Sequence, residues 1–406
     1  MGTRLGHDRS VSPSSLMLLE ELCGIDSRTI EGRKGTKQVA ELLAERLSAL
    51  GFDDSQCIPP GHEEPSSGRH LRAVRNAGAP VRVVLVGHTD TVLSPTEVPF
   101  RHDARSARCY GAGVADMKGG CVVMLEAIHQ ALDRHGSVRA AEVTVLLNCS
   151  EEQPESSFPA LLRQEAQGAC ACLTFEPSGV DGAGTHELVV ARKGLGRFEL
   201  ACSGRGAHAG NAHATGINAI RELARKIEQI EALTDYERDL TANVGFVRGG
   251  QAVNQVPDEA MIGFEIRAFD PAGMGQLRQA LMRLCSEGTV RSPADGGLPK
   301  LELRECGGYP PWPRNPDTDT LAERYSACAQ RHGVTVRTVA RGGASDASHT
   351  ADLAPTLDGL GILGGGLHST AEWADLSTLP IRATIAADFM ADVCERASAS
   401  DHKERA

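Results

Sequence analysis

The stretch "VRVVLVGHTDTV", residues 81–92, joins an apolar run to a histidine and an aspartate two positions apart. The length and branched aliphatic content of the run predict a buried strand. His88 and Asp90 then stand where that strand leaves its sheet, which is where open α/β sheets carry their chemistry. Side chains two apart along a strand share a face, so the two are placed to act together.

The surrounding chain extends the same architecture. Upstream, "SLMLLEELCGI" and "GTKQVAELLAERLSALGF" predict two amphipathic helices, the second closed by Gly51, and "LRAVRN" predicts a strand before the buried one. Downstream, "KGGCVVMLEAIHQALDRHG" has a helical period, while "AEVTVLLNCS" and "ACLTFEP" are two further apolar runs ending in polar residues. Strands and helices in alternation imply an α/β fold with a mixed, mainly parallel sheet flanked by helices. From Glu187 the pattern changes to β-α-β-β-α-β over about 110 residues, which suits an inserted α+β, ferredoxin-like domain. The expected division is 1–190 with 309–406 for the larger domain and 191–308 for the insertion, "YPPWP" marking the return.

Composition excludes several classes of function. A chain of 406 residues, 41% hydrophobic, is long enough for two domains with a real core. A formal net charge of -11 with no basic run argues against nucleic-acid binding. No signal-like apolar segment opens the chain, and no stretch reaches the roughly 20 apolar residues of a membrane span, so a cytoplasmic protein is expected. The 12 cysteines contain no C-x-x-C pair and read as small buried residues in reduced surroundings.

The polar residues at strand exits and Gly-rich turns form one set: His88 and Asp90, Asp116 in "GAGVADMKGG", Glu151 and Glu152 in "CSEEQPE", Glu176 in "TFEPSG", and His368 in "GGGLHSTAE". Imidazoles with carboxylates suit zinc or a related divalent ion, and the excess of carboxylates suits two ions sharing a bridge. Singly, each has an ordinary explanation: a cap, a solvated pair of acids, a hydrogen-bonded histidine. The set as a whole does not. A nucleophilic Cys149 or Cys109 is the competing chemistry, disfavoured at Cys149 because adjacent carboxylates oppose a thiolate. His349, His213 and His186 are expected to be surface or loop histidines.

In order along the chain, "VGHTDTV", "YGAGVADMKGG", "SEEQ", "FEPSG", "GRGAHAG" and "GLHS" resemble the motifs of the co-catalytic zinc peptidases and amidohydrolases of the M20 family. The resemblance implies two Zn2+ per chain, with Co2+ or Mn2+ as substitutes: His88 and Glu176 on one ion, Glu152 and His368 on the other, Asp116 between them. It implies that Asp90 orients the His88 ring and that Glu151 is the general base, passing a proton from a metal-bridging water to the leaving amine. The Asp116–Met117 peptide is expected to be cis. By the same resemblance the insertion is a lid and homodimerisation domain, His208 stabilises the oxyanion from the partner subunit, and Arg267, Asn254 and Gly366 face the substrate. The expected reaction is hydrolysis of an amide next to a free carboxylate in a small molecule or short peptide, of carboxypeptidase or N-acyl-amino-acid deacylase type. The alternatives are an aminopeptidase or dipeptidase of the same family and a non-catalytic binding protein on its fold. Two departures stand out: Pro154 and Glu155 follow the acid pair where relatives have small residues, and Tyr309 stands where glutamate-releasing relatives have arginine. Nearby Trp312 is expected to pack in the linker.

Overall fold

The computed structural model describes residues 11–29, 34–61, 68–103, 105–153, 157–180 and 184–404. Two compact units divide the chain: Met1–Val190 with Arg314–Ala340 and Ser345–Ala406, and Ala191–Pro313 with Arg341–Ala344.

The first unit opens with α1 (Pro13–Gly24), whose first turn is capped by the Ser12 hydroxyl accepting from Ser15 N, and α2 (Lys34–Ala49). Strands β1 (Asp54–Ile58), β2 (His70–Arg75) and β3 (Arg82–His88) follow, then α3 (Lys118–Arg134), β4 (Glu142–Asn148), α4 (Ser157–Ala166) and β5 (Ala171–Thr174). They build a six-stranded sheet in the order β1-β2-β4-β3-β5, completed by the short strand Thr356–Leu357. β3 runs parallel to β4 and β5, whereas β1 and β2 form an antiparallel margin. The apolar run in β3 now has its cause. Val83 and Leu85 point into the large core beneath α2 and α3, while Val84 and Val86 point into a second cluster with Phe158 and Leu162 of α4. A strand covered on both faces leaves no polar alternation to read.

In the second unit β6 (Gly194–Ser203), α5 (Ala219–Glu231), β7 (Thr241–Gly249), β8 (Glu259–Ala268), α6 (Pro271–Leu284) and β9 (Lys300–Tyr309) give an antiparallel sheet in the order β7-β8-β6-β9. This is the expected split β-α-β arrangement. Its core of Phe198, Leu200, Leu223, Ile262, Ile266 and Leu277 is separate from that of the first unit. Asn218 and Asp270 cap the two helices. Trp312 is fully buried in this unit and its backbone pairs with Arg192, so it serves packing; Tyr309 is buried too. The chain returns to the first unit with α7 (Pro316–Arg331) and α8 (Leu379–Glu404), which packs along α3. No helix among the described residues is long and apolar enough to cross a membrane.

Candidate metal centre

The carboxyl ends of the parallel strands supply the site. β3 ends at His88, β4 is followed by Glu151 and Glu152, β5 by Glu176, and Asp116 sits in the turn that enters α3. The Asp116–Met117 peptide is cis. His368 comes from a turn late in the chain, at φ 58°.

These side chains converge on Asp116. His88 Nε2 lies 3.1 Å from its Oδ1 and 3.6 Å from Glu176 Oε1. His368 Nε2 lies 3.4 Å from the other Asp116 oxygen and 3.1 Å from Glu152 Oε1. One carboxylate thus turns each oxygen toward a different imidazole, and each imidazole has a further acid beside it. Ligand atoms of His88, Asp116 and Glu152 all lie within 4.8 Å of one another.

Asp90 binds more than the histidine ring. His88 Nδ1 is 3.0 Å from the Asp90 main-chain carbonyl and 3.4 Å from its carboxylate. The two carboxylate oxygens accept the backbone N–H groups of Glu151 at 3.1 Å and Glu152 at 3.0 Å. A single aspartate therefore sets both the imidazole and the start of the acid pair.

The electrostatics call for positive charge. Burial opposes a charged His88, yet Glu176, Asp116 and Asp90 raise its pKa well above the ordinary imidazole value. Hydrogen bonds to Asp116 and Glu152 push His368 up to about 10. Asp116 is held ionised by two imidazoles despite its burial. Glu152 has its pKa raised, by burial first and by Asp116 and Asp90, against the opposing His368 hydrogen bond and His88 charge. Desolvation first, then Glu176 and other carboxylates, raise the pKa of the half-buried Glu151 well above normal. Four oxygen and nitrogen side chains around a shared carboxylate, crowded enough to draw protons onto both imidazoles, fit a pair of divalent cations.

Three residues of the site had no sequence signal. Asn148 Nδ2 donates to both oxygens of Asp346, at 3.2 and 3.0 Å, and Asn148 Oδ1 accepts from Ser150 N and Oγ. Burial raises Asp346 to about 7. Glu372, buried, accepts from the backbone of the Asp116 turn.

The remaining candidates lie in the second unit, except Gly366. His208 is exposed, and its Nδ1 accepts from Gly210 N and Asn211 N at 3.1 Å each, which places the ring proton on Nε2. Asn254 is exposed, its carbonyl accepting from Ala209 N. Arg267 donates to both Glu265 oxygens, at 2.7 and 3.2 Å, and to Gly342 O at 2.9 Å. A guanidinium has five N–H groups, so one on Nη1 and one on Nη2 make no hydrogen bond among the described residues. Gly366 has φ +70°, and a Cβ there would stand 2.5 Å from Ala371 O, so the turn itself demands glycine.

Other expectations change. Of the three histidines set aside, only His213 is exposed; His186 is half-buried beside Arg382, and His349 is buried. Cys149 and Cys109 are buried, and desolvation pushes the Cys109 thiol up to about 12, which disfavours a thiolate nucleophile. Pro154 and Glu155 lie outside the described residues.

Comparison with known proteins places this site in a lineage. The family model described as peptidase family M20/M25/M40 matches residues 84–392. Carboxypeptidase G2 of Pseudomonas sp. (strain RS-16) is 27% identical over 391 residues, 94% of this chain and 89% of that protein. Succinyl-diaminopimelate desuccinylase of Methylorubrum extorquens (strain PA1) is 29% identical over 351 residues, 81% of this chain and 87% of that one. Among solved structures, a tripeptidase from Staphylococcus aureus superposes with a TM-score of 0.73 at 23% identity, covering 94% of this chain and 98% of its own, a likeness of fold. With the donor set gathered at the strand ends, the chain belongs to peptidase family M20/M25/M40 and is a metallohydrolase acting on peptide or amide bonds.

Proposed function

We propose that the chain is a dinuclear, zinc-dependent hydrolase that cleaves an amide bond next to a free carboxylate, of carboxypeptidase or N-acyl-amino-acid deacylase type. The observation that carries the reading is Asp116, with one oxygen toward His88 and the other toward His368. His88 and Glu176 would hold one cation, Glu152 and His368 the other, and Asp116 both. When bound, such a pair polarises the scissile carbonyl and lowers the pKa of water.

The chain's own groups then divide the work. Glu151 is fixed through its backbone N–H on Asp90, while the neighbouring Glu152 side chain faces His368. Glu151 takes the proton of the attacking water on its carboxylate and delivers it to the leaving nitrogen, leaving a carboxylate and an amine. His208, with its proton on Nε2, is the oxyanion donor supplied by a second copy of the chain. Support for pairing through the second unit comes from its edge strand β7, where Phe246 and Val247 are exposed. The remaining N–H groups of Arg267 receive the substrate carboxylate. The names of the two sequence relatives, a carboxypeptidase and a desuccinylase, support an amide next to a carboxylate.

The test pairs metal analysis with a chromatographic screen of N-acyl amino acids, dipeptides and folate-type glutamates, with and without chelator. About two zinc ions per chain and chelator-sensitive release of an amino acid from an N-acyl substrate are expected. Release from free dipeptides alone would move the reading to a dipeptidase. Glu151→Gln should keep both cations and lower kcat by roughly 10²–10⁴-fold; a variant with wild-type turnover would remove Glu151 from the mechanism.

A further inference from the structure

Glu372 lies in the hairpin that returns from His368, four residues beyond it, and is 3% exposed. Its carboxylate carries no ion pair among the described residues. It is spoken for by backbone instead: Oε1 accepts from Ala115 N at 2.9 Å and Asp116 N at 3.0 Å, and Oε2 from Gly113 N at 3.0 Å. Three donors of one turn thus converge on two oxygens. At its other end the residue belongs to the turn that carries His368. Glu372 N donates to Ser369 O, Ser369 N and Oγ to Gly366 O, and the next residue, Trp373, pairs with Tyr110 of the strand Arg108–Tyr110.

We propose that Glu372 is a positioning residue that fixes Asp116 and His368 relative to one another, and so sets the spacing of the two cation sites. This rests on Asp116 and His368 being metal ligands, as proposed above. The side chain touches neither substrate nor reacting atoms; it acts through the peptide groups that aim the shared carboxylate. The chemistry requires an acceptor at both oxygens, since each faces an N–H. A carboxamide of the same shape satisfies Ala115 and Asp116 but turns its NH2 on Gly113 N–H. Outer groups that orient metal ligands typically matter by 10–100-fold in affinity.

The experiment titrates metal-free, full-length chain with Zn2+ by calorimetry and with Co2+ by visible absorption, for wild type, Glu372→Gln and Glu372→Ala. Weaker binding by roughly 10–100-fold in Glu372→Gln, more in Glu372→Ala, and an altered Co2+ ligand-field band in both are the expected results. A role confined to holding the fold would shift the melting temperature of the metal-free chain and leave the Co2+ band as in wild type. Glu372→Gln preserves volume and two of the three hydrogen bonds, so it carries the test if the alanine variant does not fold. A folded Glu372→Gln protein with wild-type affinity and spectrum overturns the proposal while leaving the metal centre intact. A wild-type chain that takes up no divalent cation overturns both.

Discussion

Asp90 illustrates how one side chain organises chemistry it does not perform. Its two oxygens hold the N–H groups of Glu151 and Glu152, and its carbonyl holds the His88 ring. Asp90→Asn should turn an NH2 on one of those N–H groups, so cation affinity is expected to fall by roughly 10–100-fold; an unchanged zinc titration would contradict this. His349 acts on stability. Burial, then the Arg163 charge, lowers its pKa to about 4. A histidine whose folded pKa lies below its unfolded value of about 6.5 costs stability when acidified, because the unfolded chain takes the proton first. Stability should fall by about 1.4 kcal/mol per pH unit from this group between pH 6.5 and 4, and His349→Gln should flatten that limb in urea titrations. Sequence made some of these residues visible and hid others for a physical reason. His88, Asp116, Glu152, Glu176 and His368 sit at strand exits or Gly-rich turns, where a polar residue interrupts a local pattern. Asp346 and Glu372 look like surface acids in "GASDAS" and "TAEWAD". Only contacts across 198 residues to Asn148 and 256 to Asp116 reveal that they are buried.

At the level of elements, α3 shows why its first turn reads "KGG". A Cβ at Gly120 would come within 2.0 Å of Phe175 O, so the helix start lies against the backbone that leads from β5 to Glu176. Intrinsic helix propensity favours Gly→Ala by about 1 kcal/mol, but here the added methyl must move backbone. Gly120→Ala is expected to destabilise by about 1–3 kcal/mol, the usual cost of overpacking; an increase in melting temperature would show that the contact yields. The long elements were legible because burial dictates composition: β3 is apolar throughout since helices cover both its faces. The small sheet was not. Its strand Gly364–Gly365 pairs with Trp373–Asp375, which pairs in turn with Arg108–Tyr110, and two glycines carry no strand signal. They pair because the absence of a side chain at Gly364 admits Ala115, whose methyl would be 2.6 Å from a Cβ there.

Across the whole molecule, two separate cores imply two separate responses to metal. Every proposed ligand is in the first unit, so cation binding should stabilise that unit alone, by about 2.7 kcal/mol at a hundred times Kd. Chelation is then expected to speed amide hydrogen exchange in β3, β4 and β5 and leave β6 and β8 unchanged; equal loss in both units would tie their stabilities together. The division also sets a timetable. The first unit is interrupted after Val190 and resumes only at Arg314, so a ribosome delivers Glu176 long before His368. At roughly 5–20 residues per second, roughly 10–40 s separate Val190 from the end of α8. Once Pro313 has been made, the second unit has the strands and helices of its sheet layer and can fold, while the sheet of the first still lacks Thr356–Leu357 and the cover of α8. The nascent chain thus carries four of the five proposed ligands on an unfinished scaffold while the whole inserted unit is being made, and the donor set is complete only when His368 follows.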